Sequence, residues 1–261
     1  MIRAMRTAAS GMLAQQTQVD TIANNIANVN TAGFKGNRVN FQSLLYTTMK
    51  EPGAATASDS RAPTGLQIGS GTEVAGSVKL HLQGELELTG NPLDIAVQGD
   101  GFFQVDLGNG ELRYTRDGSF RRDANGDMVT VSGFLLADNI NIPDDVTAVT
   151  IGQDGTVEGT IPGQTAQSNL GTISVWRFPN PAGLRAEGSN LYSATASSGT
   201  ETQATAGQDG AGFIRQSFLE RSNVSVVNEL INLIQAQRNY EVNSRTISVS
   251  DEMLQQVSQL I

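Results

Sequence analysis

Cysteine is absent from the 261 residues, which excludes disulfides and thiolate metal centres. Aromatic residues make up only 5% and apolar residues 38%, so a core must be aliphatic and thin. No run approaches the ~20 apolar residues that span a bilayer. Arg3 and Arg6 open the chain, but polar residues interrupt the next stretch every few positions, so the segment does not read as a secretory signal. That favours a cytoplasmic protein, or export by a route that uses no cleaved signal. Basic residues are outnumbered 17 to 26, giving a net charge of −9. This argues against nucleic acid as a partner. The imbalance is local: residues 73–215 hold eight basic and eighteen acidic groups, while residues 1–72 hold six and three.

What is present is order of two periods. Near the N-terminus, Ile2, Ala9, Gln16 and Ala23 recur every seven residues, and so do Met5, Met12, Val19 and Ile26. Such rows form a narrow apolar seam that packs helix on helix. The spacing predicts a helix from about Ile2 to Val29, ~42 Å long, with Gly33 suited to the left-handed position beyond it. Near the C-terminus, Val226, Leu233, Tyr240, Ile247, Leu254 and Ile261 fall seven apart, flanked by Leu230, Ile234, Met253 and Val257. Ser222 or Ser225 can cap this helix and Glu229 suits its positive end. No glycine or proline follows Gly212, which favours one long helix.

Between the helices the period becomes two. From Glu73 to Leu88 apolar and polar residues alternate, predicting a strand with one wet face and bends at Gly76 and Gly84. Turn signals come next, at Gly99-Asp100-Gly101, Asn109-Gly110, Asp117-Gly118, Asn125-Gly126 and Asp154-Gly155. Their spacing predicts an antiparallel β domain. The expected class is α+β: terminal helices that pack on one another, and a β-rich middle of antiparallel strands. Expected boundaries are an N-terminal helix 1–33, an extended or hairpin segment 34–72, a β-rich domain 73–215 and a C-terminal helix 216–261. Composition alone makes 51–65 and 195–212 flexible loops, or segments that order against a partner.

Candidate chemistry is sparse. His81, the only histidine, falls on the wet face of the alternating strand and reads as solvated. Glu85 and Glu87 share that face, with no apolar pocket to raise a pKa. Asp123 to Asp127 begins like a calcium loop but has Met128 and Phe134 where glycine and glutamate belong, so it reads as a hairpin turn. No phosphate loop or zinc pattern occurs. The sequence predicts no enzyme, no cofactor and no metal; a glycan-acting enzyme or a soluble binding module are the competing classes.

The first helix has its own oddity. Only Arg3, Arg6 and Asp20 are charged in its thirty residues, while Asn24, Asn25, Asn28 and Asn30 crowd its end. Helices surrounded by other helices avoid charge and can bury amides that find hydrogen bonds. Asn24, Asn25, Asn28 and Asn30 are therefore expected to contact neighbouring chains, together with the seam residues Met5, Met12, Val19, Ile26, Val226, Leu230, Leu233, Ile234, Tyr240, Ile247 and Leu254. A frayed terminus is the other reading.

Several stretches together resemble the flagellar rod and hook axial proteins of bacteria. They are Asn24-Asn25-Ile26-Ala27-Asn28-Val29 with Gly33-Phe34-Lys35, Ser222-Asn223-Val224 with Glu229-Leu230-Ile231, and Gln237-Arg238 with Tyr240-Glu241. In the middle, Gly90-Asn91-Pro92-Leu93-Asp94, Gly99-Asp100-Gly101-Phe102-Phe103 and Tyr114-Thr115-Arg116-Asp117-Gly118 also fit. Leu44-Leu45-Tyr46 leading to Pro52-Gly53, with Gly65-Leu66-Gln67-Ile68, resembles a hairpin insertion that helps keep the distal rod straight. The resemblance implies a subunit that polymerises with copies of itself into a rigid tubular shaft around an export channel, its N- and C-terminal helices forming an innermost coiled-coil layer and its β-rich middle carrying a long hairpin insertion. The alternative is a proximal rod or hook-type subunit. It also implies export by the flagellar type III apparatus without a cleaved signal, and a place across the periplasm to the outer membrane. The implied partners are proximal rod and hook subunits, the L and P ring proteins and the rod cap protein.

Overall fold

The computed structural model describes residues 2–52, 55–57, 60–61, 63–162 and 167–259. Two compact units are built from alternating pieces of the chain. One comprises Met1–Ile26, Asn37–Val78 and Ser225–Ile261; the other comprises Ala27–Gly36 and Lys79–Val224.

The first unit holds both long helices, α1 (Ile2–Ala27) and α2 (Val226–Gln259). Helix α1 stops two residues short of the predicted Val29, in a turn where the Thr31 N–H donates to the Asn28 carbonyl. Gly33 comes after it at φ 67°, the left-handed conformation that glycine adopts without strain. Helix α2 runs unbroken for 34 residues, as the lack of glycine and proline predicts. The Ser225 carbonyl accepts the Glu229 N–H, so Ser225 stands at the N-cap position and Glu229 in the first turn, where a carboxylate favours the helix dipole. The strand Asn37–Ser43 pairs with Thr72–Lys79. Tyr46–Lys50 pairs antiparallel with Leu66–Gly69, Tyr46 opposite Gly69 and Thr47 opposite Ile68. Ala55–Ala57 and Ser60–Arg61 pair antiparallel as well.

The second unit is antiparallel throughout its paired strands. Its largest sheet has seven, in the order Phe120–Arg122, Met128–Thr130, Leu135–Leu136, Phe103–Asp106, Leu112–Thr115, Leu191–Ser193 and Arg185–Gly188. A three-stranded sheet of Ala148–Ile151, Thr156–Thr160 and Ser168–Thr172 accompanies it. The predicted turns at Asn109-Gly110, Asn125-Gly126 and Asp154-Gly155 join paired neighbours. Asp117-Gly118 does not: a Cβ on Gly118 would lie 1.5 Å from the Ile95 carbonyl oxygen, so this glycine permits a backbone crossing. The larger core cluster is mostly aliphatic, as the composition suggests, but a second buried cluster of Phe102, Tyr114, Phe178, Leu184 and Tyr192 is mostly aromatic. Ile95, Val105, Val157, Val175 and Ile214 are buried with Phe103 and Phe120, which meet edge to face at 5.5 Å.

Three expectations need correction. The alternating strand ends at Lys79 and resumes only as Leu86–Leu88. Gly76 lies inside its first part, and the break falls at residues 80–85, around Gly84. The alternation does not assign faces even within Thr72–Lys79, where Val74 is exposed beside Glu73 and Lys79 is half-buried; beyond it Leu82 and Leu88 are exposed, while both ring nitrogens of His81 are shut from solvent. Residues 195–212 are also not a loose loop. Thr202–Thr205 pairs with Ser174–Arg177, and Ser198 is fully buried, its hydroxyl donating to the Thr195 carbonyl. Glu85 and Glu87 are exposed, as expected.

Candidate assembly surface

Along α2 the burial pattern is a heptad pattern. Glu229, Leu233, Asn243, Ile247 and Leu254 are half-buried, and Ala236 and Ser250 are buried; the steps are of four and three residues, except across exposed Tyr240, where one of seven separates Ala236 from Asn243. One row of this seam, Leu233, Ile247 and Leu254, is legible in the sequence. The other row is Glu229, Ala236, Asn243 and Ser250, small or polar residues with no apolar periodicity to announce them. The predicted flank Leu230, Ile234, Met253 and Val257 presents apolar surface to solvent, and so do Val226 and Tyr240, which the sequence placed in the seam row itself.

On α1 the buried positions are Ala8, Ala14, Ile22 and Asn25. Met5, Met12, Val19 and Ile26 are half-buried beside them. Small residues permit close approach: a Cβ on Gly11 would lie 2.9 Å from the Asn243 amide nitrogen. Asn25 meets Glu229, its Nδ2 donating to Oε1 at 3.2 Å. Gly11 to Asn25 and Asn243 to Glu229 run in opposite order, so the two helices are antiparallel where they touch.

The asparagine cluster separates into roles. Asn25 is 2% exposed and its amide is used inside the chain, by Asn37 and Glu229. Asn24 is exposed and Asn28 half-buried, the latter accepting from the Thr31 hydroxyl at 3.3 Å. In the paired strands, Tyr46, Leu66 and Ile68 are exposed, as are Pro52 and Gly65. A Cβ on Gly65 would strike the Lys50 carbonyl oxygen at 2.6 Å. Gly53, like Ile261 of the C-terminal row, lies outside the described residues.

The second unit holds a polar centre that the sequence did not announce. Glu220 is buried and accepts from Lys35 Nζ at 2.6 Å and the Gly84 N–H at 2.7 Å through Oε1, and from Arg116 Nε at 2.7 Å through Oε2. Arg116 also donates to the carbonyls of Val97, Gly99 and Gly101. Burial alone would raise the Glu220 pKa, but Arg116 and Lys35 outweigh it and hold it below the usual carboxylate range. Lys35 and Arg116 both sit in stretches that carry the family resemblance. The motif was therefore visible, but not the ion cluster that its members form across 185 residues of sequence. Among the described residues no group of three His, Asp or Glu side chains could hold a metal ion. Among them, too, no helix is long and apolar enough to cross a membrane.

Comparison with known proteins agrees with this architecture along the whole chain. Family models described as flagella basal body rod protein, flagellar hook protein FlgE/F/G D1 domain, and flagellar basal body rod FlgEFG protein C-terminal match residues 5–35, 96–159 and 215–260. The flagellar basal-body rod protein FlgG of Buchnera aphidicola subsp. Schizaphis graminum is 44% identical over 260 residues, covering all of both chains. FlgG of Caulobacter vibrioides is 45% identical over 260 residues, 99% of each chain, and that of Borreliella burgdorferi 45% over 256 residues, 97% of each. The chain belongs to the flagellar basal-body rod protein family. The family is structural and not enzymatic, and its place is the flagellar basal body.

Proposed function

We propose that this chain is a structural subunit of the distal rod, polymerising through its terminal helices into a rigid tube that transmits torque to the hook and encloses the export channel. The observation that carries this reading is the exposed apolar surface of α2. Val227, Leu230, Ile231, Ile234, Val242 and Val249 remain open to solvent, and burying one such side chain contributes ~1.5–3 kcal/mol. Neighbouring copies supply that cover. Contacts of this head-to-tail kind do not close into a ring, so a filament grows. Met5, Met12, Val19, Ile26, Leu233, Tyr240, Ile247 and Leu254 belong to the same helical layer, arranged as a coiled coil. Asn24 and Asn28 lie at its edge.

The Tyr46–Lys50 and Leu66–Gly69 pair is the stem of a hairpin that stiffens the polymer by spanning between copies; exposed Tyr46, Leu66 and Ile68 are its contact residues, with Pro52 and Gly65 shaping it. The partners at the ends and flank of this shaft are proximal rod and hook subunits, the rod cap protein and the L and P rings. Delivery is by the flagellar type III apparatus without a cleaved signal, and the shaft crosses the periplasm to the outer membrane.

Sedimentation and electron microscopy test the assembly. Ile234→Asp leaves the monomer's circular dichroism unchanged and abolishes filaments; filaments of normal length and number from this variant would overturn the helical-layer assignment. Removing residues 46–68 yields a bent or flexible polymer. A polymer as straight as the parent would take the stiffening role from the hairpin.

A further inference from the structure

The second unit encloses a cavity of about 240 Å³ lined by Lys35, His81, Phe102, Arg116, Arg177 and Phe178, with Asp100 as its one carboxylate. This is far above the ~10–15 Å³ that a single water needs. We infer that the cavity binds a compact oxyanion, a carboxylate in the first place.

The charge balance is the first reason. Three cations face one carboxylate here, in a region of the chain whose overall balance is strongly acidic. Glu220 already neutralises part of Lys35 and Arg116 from behind, yet both keep donors to spare. An ammonium has three donors, and Lys35 commits one to the Leu82 carbonyl at 2.8 Å and one to Glu220. Arg177 commits Nη1 to the Asp209 carbonyl, leaving most of its five-donor fork for a second partner. The second reason is the wall. His81 lines the cavity with Phe102 and Phe178, but its ring nitrogens carry no accessible surface, so the donors open to an occupant are chiefly those of Arg177, with the spare donors of Lys35 and Arg116 behind them. Arginine holds carboxylates and phosphates alike in bidentate pairs; the aromatic walls select a carboxylate, because it can carry an apolar stem. The walls of Phe102 and Phe178 accept its apolar stem.

The carboxylate comes either free from solution or from an acidic side chain of another copy. Because the chain has one histidine, its imidazole gives a single set of ring resonances to follow. Sodium acetate titrated into dilute monomer at fixed ionic strength moves those resonances along a saturating curve, and Arg177→Gln weakens the apparent affinity at least tenfold. If that variant does not fold, Arg177→Lys, which keeps the charge and loses the fork, serves in its place and weakens binding less. No shift, or a linear drift of equal slope in the variant, overturns the inference. Saturating acetate then slows polymerisation if the natural occupant is a neighbour's carboxylate, and leaves it unchanged if the occupant is free. The titration uses the monomer alone, so its outcome does not depend on the assembly reading.

Discussion

Asn25 and Asn37 exchange two hydrogen bonds. The Asn25 amide donates to the Asn37 carbonyl and accepts from the Asn37 N–H, both at 2.9 Å. A helix side chain thus does what a neighbouring strand would do for the first residue of Asn37–Ser43. The same amide donates to Glu229 at the start of α2, so one side chain ties both helices and a strand.

Asn25→Ala should therefore destabilise the first unit by about 2–3 kcal/mol, since it leaves buried backbone groups unpaired. Amide exchange at Asn37 should accelerate more than at positions elsewhere in the unit. Unchanged protection at Asn37 would show that the exchange of hydrogen bonds is not what holds the strand.

Removing Glu220 is predicted to be the most damaging change in the second unit. Glu220→Ala strands Lys35 and Arg116 in the interior, at about 3–5 kcal/mol. Pairing it with Lys35→Met should recover part of that loss, read as a partial return of the denaturant midpoint. A double variant less stable than the single one would refute the account.

His81 sets an acid sensitivity of definite sign. Burial, reinforced by Lys35, Lys79 and Arg116, pushes its pKa down to about 4, against ~6.5 in an unfolded chain. The folded state thus takes up its proton later than the unfolded state. Its contribution is complete above pH 6.5 and is lost as pH falls from there through about 4. Between pH 6.5 and 5, before most carboxylates titrate, the loss should be on the order of 1–2 kcal/mol. His81→Gln should flatten the stability profile in that window; an unchanged slope would exonerate the histidine.

Two glycines of different surroundings make a control pair. Gly118→Ala would drive a Cβ into the Ile95 carbonyl, whereas Gly76→Ala meets nothing within 4 Å. The first should cost several kcal/mol by displacing backbone, and the second should be neutral or slightly stabilising, because alanine lowers the entropy of the unfolded chain. Thermal midpoints of the two variants distinguish them.

Much of this was legible in the residues. Unbroken apolar spacing marks both helices, and Asn-Gly and Asp-Gly pairs mark three hairpins, because those signals are local. What escaped was long-range or amphiphilic. Ala236, Asn243 and Ser250 line a buried row of α2 without being apolar enough to form a pattern. Asn25 looks like its neighbours Asn24 and Asn28, and only its partners set it apart. His81 was misplaced because alternation was taken to set faces, which it does neither within Thr72–Lys79 nor past Lys79, where the strand stops. Lys35, Arg116 and Glu220 meet only in three dimensions, so no window of sequence contains them.

That last meeting orders events in time. Lys35 emerges early from the ribosome, Arg116 midway, and Glu220 near the end, so two cations wait for their counterion through most of synthesis. A chain that has not yet delivered residue 220 cannot close its second unit without stranding charge.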